Sequence, residues 1–290
     1  MRKKLLLLSA AAVLLAVVWI YPRGVYQACT FTALDVGQGD AILIQTSDHQ
    51  DILIDGGPDD TVVDRLSQAL PAGDRDIELM VLTHPHADHV NGLVAVAERF
   101  TVRRVLATSL PYQQRAYETW HALLGEQHVP VTNALAGQRY VVGAATFDVL
   151  WPAQDLTKKN IVGDNAAEGG GVNDASVVLK LSCGGSSAML MGDASSDIED
   201  RILDGGADVR AGLLKVGHHG SRFSSSVRWL QAVNATWAVI SVGAGNRYYH
   251  PHPTALLRLK QAGLTIWRTD ERGDVQLKTD GHGGWEKGGG

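Results

Sequence analysis

Between positions 83 and 92 the chain reads THPHADHVNG, which puts His84, His86, Asp88 and His89 within one short run. Neutral imidazole and ionised carboxylate are ligands for divalent ions such as Zn²⁺ or Mn²⁺, and no sulfur donor stands nearby to force zinc. The run closes the apolar stretch IELMVLT. A tight turn at the end of that buried strand directs His84 and His86 one way, and brings Asp88 and His89 to a second point a few ångströms off. Two adjacent ion sites are expected. Three more apolar stretches end in polar groups. AMLMGDA delivers Asp193, a carboxylate able to bridge two ions or, alternatively, to cap a helix starting near residue 195. LLKVGHHGS delivers His218, His219 and Ser221, with the histidines as ligands or catalytic groups. NRYYHPHPTALLRL delivers Asn246, His250 and His252, although Pro253 suits a first helical turn and explains part of that stretch without chemistry.

Two ions held this close lower the pKa of a bridging water, so that hydroxide exists at neutral pH, and they clamp the attacked oxygen during an in-line displacement. No protein nucleophile is then needed. Asp88 orients or deprotonates the water, and His218 or His250 protonates the leaving oxygen. Lys215, Ser221 and Asn246 are expected on the same rim as phosphate contacts, with Lys215 snorkelling to solvent as the alternative. In LDVGQGDA the turn Gly37-Gln38-Gly39 brings Asp40 towards the site. Asp40 and Asp55 read as outer carboxylates that orient the ligands.

The elements that must position these groups alternate between strand and helix. TFTALDV, AILIQT and DILIDGG are expected strands, TVVDRLSQALP a helix, and IELMVLT a buried strand. Strand VRRVLAT, helix QQRAYETWHALLGE, strand TFDVLW, the hairpin SVVLKLS/SAMLMGD and helix SSDIEDRIL follow. The last third gives strand AGLLKVG, helix SSVRWLQAV, strand WAVISVG, helix PTALLRLKQAG and strands TIWRT and DVQLKT. No period of 20 to 50 residues emerges, which excludes a solenoid. Residues 152–172, rich in Gly, Asn and Asp, form the one long loop.

With 290 residues, 45% of them hydrophobic, the chain can bury a sizeable core and is not disordered. Cys29 and Cys183 form no zinc-ribbon spacing and no disulfide framework, and a bond between them is not the favoured expectation. The N-terminus has Arg2, Lys3 and Lys4 before an apolar run from Leu5 to Ile20. Residues 1–28 therefore read as a signal peptide or a single membrane anchor, with the uncleaved anchor favoured because Tyr26 spoils a cleavage site. Residues 29–280 are the expected domain and 281–290 a Gly-rich tail. The protein is expected outside the cytoplasm, membrane-anchored or secreted. The net charge is −5, but the residues beyond 204 carry a basic excess that includes Arg222, Arg228, Arg247 and Arg258. A nucleic-acid backbone could follow that half, weakly and with strong salt dependence.

Taken together, the HxHxDH pattern, LDVGQGDAILIQ, ILIDGG, MGD, LKVGHHGS and HPTALLRL resemble the metallo-β-lactamase superfamily. More narrowly they resemble the extracytoplasmic nuclease-like domain of the ComEC competence proteins. The resemblance runs from about Thr30 to Lys278. It implies an α+β four-layer αββα sandwich, preceded here by the N-terminal apolar segment, with a dinuclear site at one edge of the two sheets. It further implies a first ion held by His84, His86 and Asp193, and a second held by Asp88, His89, Asp193 and His219. His219 is the chosen ligand of the histidine pair because His-Gly-Ser matches the phosphodiesterase members' pattern, which frees His218 as an acid or phosphate contact. The histidine that dinuclear members usually supply before the bridging aspartate is missing, since only His121 and His128 lie in that interval. Asn173 or Asp174 is expected to stand in, leaving the first ion the weaker one. With one apolar segment, the chain is expected to lack the many-spanning channel of ComEC.

Three functions remain open on these residues. A ComEC-like DNA nuclease or phosphodiesterase, using a metal-bridged hydroxide and serving DNA uptake, is the leading one. A hydrolase of a small ester, lactone or β-lactam is the second, with SLPYQQRAYETW and NRYY building its pocket. A non-catalytic metal- or DNA-binding module is the third.

Overall fold

The structure, a computed structural model, describes residues 28–159 and 171–288. The expected leader and part of the expected long loop lie outside them. The first half runs β1 (Cys29–Ala33), β2 (Ile42–Thr46), β3 (Asp51–Ile54), α1 (Thr61–Ala69), β4 (Asp76–Ile77), β5 (Leu79–Leu82), α2 (Ala87–Arg99), β6 (Thr101–Val102), β7 (Val105–Ala107), α3 (Arg115–Glu126) and β8 (Val131–Asn133). The second runs β9 (Arg139–Val142), β10 (Ala145–Trp151), β11 (Val178–Cys183), β12 (Ser186–Leu190), α4 (Ser196–Asp204), β13 (Leu213–Lys215), α5 (Val227–Val233), β14 (Trp237–Ile240), α6 (Pro253–Gln261), β15 (Thr265–Arg268), α7 (Thr269–Arg272), β16 (Val275–Thr279) and β17 (Trp285–Lys287).

Two mixed sheets result. One has eight strands in the order β17-β16-β1-β2-β3-β5-β7-β8, and the other seven in the order β15-β14-β13-β12-β11-β10-β9. Each is antiparallel on one side and parallel on the other, where β5, β12, β13 and β14 lie. Side chains alternate across each strand. Ile42 and Ile44 face an inter-sheet core shared with Leu179, Leu181 and Leu190. Leu43 and Leu53 face outward onto Val62, Val90, Leu93 and Trp120 of α1, α2 and α3. Met189 and Leu214 face Ile198, Trp229 and Leu259 of α4, α5 and α6. The layers are therefore helix, sheet, sheet, helix, and the loops at the carboxyl ends of the parallel strands are free to build a site.

Four expectations need correction. The opening motif is not a simple turn: α2 begins at Ala87, because Val90, Leu93, Val96 and Ala97 repeat at helical spacing and bury one face. The stretch VRRVLAT divides, with Val102 pairing to β4 and residues 105–107 to β5. Cys29 and Cys183 do form a disulfide, with Cα atoms 6.1 Å apart, because β1 and β11 face each other across the inter-sheet core. The domain also does not close at residue 280. β17 adds an edge strand to β16, and Trp285 fills the inter-sheet core while its Nε1 donates to Ser187 O at 2.8 Å. Among the described residues, no helix is long and apolar enough to cross a membrane.

Candidate metal centre

The centre gathers around Asp193, in the turn after β12 and 2% exposed. Asp193 does not cap α4, whose N-cap is Ser195. Its backbone N–H donates to Ser176 Oγ at 3.0 Å, which fixes the turn. Four histidines reach its Oδ2: His89 Nε2 at 3.5 Å, His219 Nε2 at 3.6 Å, His218 Nε2 at 3.7 Å and His84 Nε2 at 3.8 Å. Asp88, in the first turn of α2, places Oδ2 3.3 Å from His219 Nε2. His86 turns Nδ1 to within 3.0 Å of His84 Nε2.

The far side of each buried ring fixes which nitrogen faces the cluster. His219 Nδ1 lies 3.0 Å from Ser241 O, a pure acceptor, so Nδ1 carries the proton and Nε2 offers its lone pair inward. His89 Nδ1 lies 2.8 Å from Asp55 Oδ2 with the same result. His84 Nδ1 meets Thr83 Oγ1 at 3.1 Å and Ser176 Oγ at 3.3 Å. The Thr83 hydroxyl proton goes to Asp55 Oδ2 at 2.7 Å, so its lone pair can accept from His84. Asp55 thus supports two of the three motif histidines, His84 and His89, and Asp40, 3.4 Å from His219 Nδ1, supports His219.

His218 and His219 form a left-handed pair, with φ of 47° and 52°. A non-glycine residue in that region costs on the order of 1–2 kcal/mol. The turn is held by Ser224 Oγ donating to Gly217 O at 2.7 Å and Ser221 N to His218 O at 2.8 Å. The consequence is divergent side chains, with the two rings 6.1 Å apart and 71° to each other. His219 is buried among the carboxylates, while His218 meets Asn173 Nδ2 at 3.5 Å. Asn173, rather than Asp174, faces the cluster. Asp174 turns Oδ1 to Ser195 N instead.

Burial opposes charge on every group here, and the neighbours decide which groups carry it. Burial would lower His219, but Asp193, Asp40 and Asp88 outweigh it and raise it to about 10. Burial would likewise lower His89, yet Asp193 and Asp55 hold it well above the usual histidine range. His84 is pushed well below by burial and by His89. Burial would raise Asp193, but His219, His89 and His218 keep it well below the ordinary carboxylate range. The cluster therefore keeps its carboxylates ionised and demands positive charge. His89 Nε2, His219 Nε2 and Asp193 Oδ1 are buried with no hydrogen-bond partner. The sets His84/His89/Asp193 and Asp88/His89/His219 each converge within bonding reach of one ion. Nitrogen and carboxylate donors in that arrangement fit divalent metal ions.

Three expected substrate contacts are not what the residues suggested. Lys215 is fully buried and neither snorkels nor faces a phosphate. Its Nζ pairs with Asp40 Oδ2 at 2.8 Å and donates to Val216 O at 2.9 Å, because β13 points it into the sandwich towards that buried carboxylate. Burial would raise Asp40, but Lys215 and then His219 hold it at about 2. Asn246 scaffolds its own loop, donating to Gly243 O and His250 O while accepting from Tyr248 N and His250 N. Ser221 is buried and turns Oγ to Phe223 N. His252 accepts from Thr254 N and caps α6. His250 does reach the site: its ring lies 5.4 Å from His218, and burial with His218 and His219 pushes it down to about 4. The basic excess is partly spent internally too. Arg228 pairs with Asp200 and Asp204, and Arg258 donates to the carbonyls of Arg222, Ser224 and Ser225.

A cavity of about 270 Å³ opens over the cluster, lined by Asp88, Asp193, His218, His219 and His250 together with Gln38, Tyr112, Gln114, Asn173, Arg247 and Tyr248. A larger hollow of about 460 Å³ lies beside α4, where Arg139–Asp148 and Lys180–Asp208 satisfy each other, and it holds none of the cluster residues.

The metallo-β-lactamase superfamily model matches residues 34–243. The chain belongs to the metallo-β-lactamase superfamily. It is a metal-dependent hydrolase by family, and the matched span contains Asp193, the whole HxHxDH motif and the histidine pair. The chain is similar to competence protein ComA of Neisseria gonorrhoeae, 31% identical over 85% of this chain and 32% of that protein. It is also similar to ComE operon protein 3 of Bacillus subtilis, 28% identical over 71% of this chain and 25% of that one. The chain thus spans about a quarter to a third of the curated relatives' length. Among solved structures, the metallo-β-lactamase fold protein YhfI from Bacillus subtilis covers 87% of this chain and 100% of its own at TM-score 0.58 and 13% identity. CmlA, a diiron β-hydroxylase from Streptomyces venezuelae, covers 87% and 54% at TM-score 0.55 and 14% identity. These two likenesses concern the fold alone. One fold carrying a hydroxylase as well as hydrolases means that the reaction must be argued from the site.

Proposed function

We propose that the protein hydrolyses phosphodiesters, with DNA as the favoured substrate, outside the cytoplasmic membrane, using two divalent ions, Zn²⁺ or Mn²⁺. The observation that carries this reading is the set of buried, unpartnered donor atoms on His89, His219 and Asp193, beside a cavity that Asp193 and His219 line together with Asp88, His218, His250 and Arg247. His84, His86 and Asp193 would hold one ion, and Asp88, His89, Asp193 and His219 the other. When bound, the ions supply Lewis acidity towards the phosphoryl oxygens and activate the attacking water at neutral pH. Asp88 would then orient that water, since its side chain is 29% exposed at the cavity wall.

His218 and His250 stand ready to move a proton to the leaving oxygen. Burial pushes both below the usual histidine range. Arg247, whose guanidinium lies over Tyr248 at 5.0 Å, gives the cavity mouth a positive charge. The competence relatives support DNA as substrate. The Cys29–Cys183 bond supports an oxidising compartment, in keeping with an N-terminal export or anchoring segment.

Tyr112 and Tyr248 in the cavity wall favour a second reading, a small ester, lactone or β-lactam. Three substrates separate the two: bis(p-nitrophenyl) phosphate, plasmid DNA and a chromogenic β-lactam, each given to the full chain after removal and return of Mn²⁺ or Zn²⁺. Metal-dependent turnover of the diester and of DNA is expected. Turnover of the lactam with both phosphodiesters untouched overturns the reading.

A further inference from the structure

Gln38 lines the same cavity as Asp88, Asp193 and His219, and none of the roles above uses it. Its side chain is oriented from one end. Oε1 accepts a hydrogen bond from Gly243 N at 3.2 Å, which leaves Nε2 as the donor end. Nε2 is buried and has no partner. Leaving a buried amide donor unpaired costs about 1–3 kcal/mol, and such groups in native structures call for a specific reason.

The backbone that carries Gln38 has no room to retreat. On one side the turn presses on α2: a Cβ at Gly39 would lie 2.2 Å from Asp88 O, and Asp40 N donates to that same oxygen at 3.2 Å. On the other it presses on the loop after β14, where a Cβ at Gly243 would lie 2.6 Å from Gln38 N. Only glycine permits either approach. Two residues on, Asp40 is tied to Lys215 and His219, so the turn is in register with the metal-ligand set.

The geometry points to Gln38 as a catalytic hydrogen-bond donor, its Nε2–H binding a non-bridging oxygen of the scissile phosphate and strengthening as that oxygen gains charge. A fixed, buried donor costs no reorganisation at the moment of reaction, which is where such groups act most strongly. Because the amide is neutral, it selects by the position of the oxygen and not by net charge, unlike Arg247 at the cavity mouth. The inference rests on the phosphodiester reading of this site.

Two substitutions test it from opposite sides. Gln38→Met is uncharged, so a loss there is not repulsion of the anion. Gln38→Glu keeps an acceptor for Gly243 N–H, so a loss there is not collapse of the loop. The metal-loaded full chain is assayed with bis(p-nitrophenyl) phosphate, and binding of inorganic phosphate is measured by calorimetry, with metal content and melting temperature as controls. Both variants are expected to keep the wild-type metal content, to lose about 10²–10³-fold in kcat, and to bind phosphate several-fold more weakly. Retained kcat and retained phosphate affinity in either variant overturns the assignment. Should the wild type turn over no phosphodiester, the proposed function fails by itself. The calorimetric comparison still decides whether Gln38 binds a phosphoryl oxygen.

Discussion

In the proposed pairing His84 and His86 hold one ion with Asp193, and Asp88, His89 and His219 hold the other, but the two sets are not equally supported. On the Asp88 side, His89 is held by Asp55, His219 by Ser241 O and Asp40, and Asp40 in turn by the buried Lys215. On the His84 side the ring rests on two hydroxyls, Thr83 and Ser176, and the remaining neighbour facing Asp193 is His218 beside the amide of Asn173. Carboxylates behind a ligand raise its basicity and lock its tautomer, whereas hydroxyls and amides do so less. One half of the cluster is thus built as a charge-compensated socket and the other as a lighter clasp. The difference teaches where metal affinity and where substrate access reside.

Removing the shared element should have the largest effect. Asp193→Ala is expected to abolish turnover and to leave neither ion bound after gel filtration, as metal analysis would read. Retention of a full metal complement would mean that Asp193 does not serve both sides. Next in size, His219→Ala should lose the ion of the Asp88 side. His218→Ala should keep both ions and lose about 10²–10⁴-fold in kcat, the range for a proton-transfer group. If His218→Ala instead sheds the ion of the His84 side, His218 replaces the missing third histidine as a ligand, and the lighter clasp is stronger than described. A smaller change is expected from Asp40→Asn, which should weaken metal binding about 10–100-fold on the Asp88 side only, and from Asp55→Asn, which should weaken it similarly on both sides because Thr83 relays its support to His84.

The smallest functional effect belongs to the bond farthest from the chemistry. Reducing Cys29–Cys183, or replacing both residues by Ser, should cost about 2–5 kcal/mol of stability in denaturant unfolding and leave kcat unchanged. A fall in kcat at unchanged stability would show that this crosslink, at the far side of β1 and β11, influences the cluster.

The half of the site that the sequence made legible is the half written on one turn. His84, His86, Asp88 and His89 are neighbours in the chain, so their chemistry survives without knowledge of the fold, although the helix that begins among them was hidden by its polar start. The partnership of Lys215 with Asp40 was not legible, because a lysine in an apolar strand looks the same whether it seeks solvent or a buried carboxylate. Its partner lies in a distant turn. Asn246 misled for a related reason: an amide in a loop near histidines can face a ligand or its own backbone, and only the folded loop distinguishes the two. Cys29 with Cys183, and Trp285 with the inter-sheet core, depend on which strands meet across two sheets. Gly-rich flanks around Trp285 removed the alternation that marks a strand.

The central claim is that one carboxylate serves two ions held with unequal support. The most direct measurement is a calorimetric titration of Mn²⁺ into the metal-free full chain, repeated with His219→Ala and His86→Ala. Two binding steps are expected for the wild type, with the tighter one missing in His219→Ala and the weaker one missing in His86→Ala. A single step in the wild type, or loss of the tighter step on replacing His86, would contradict it.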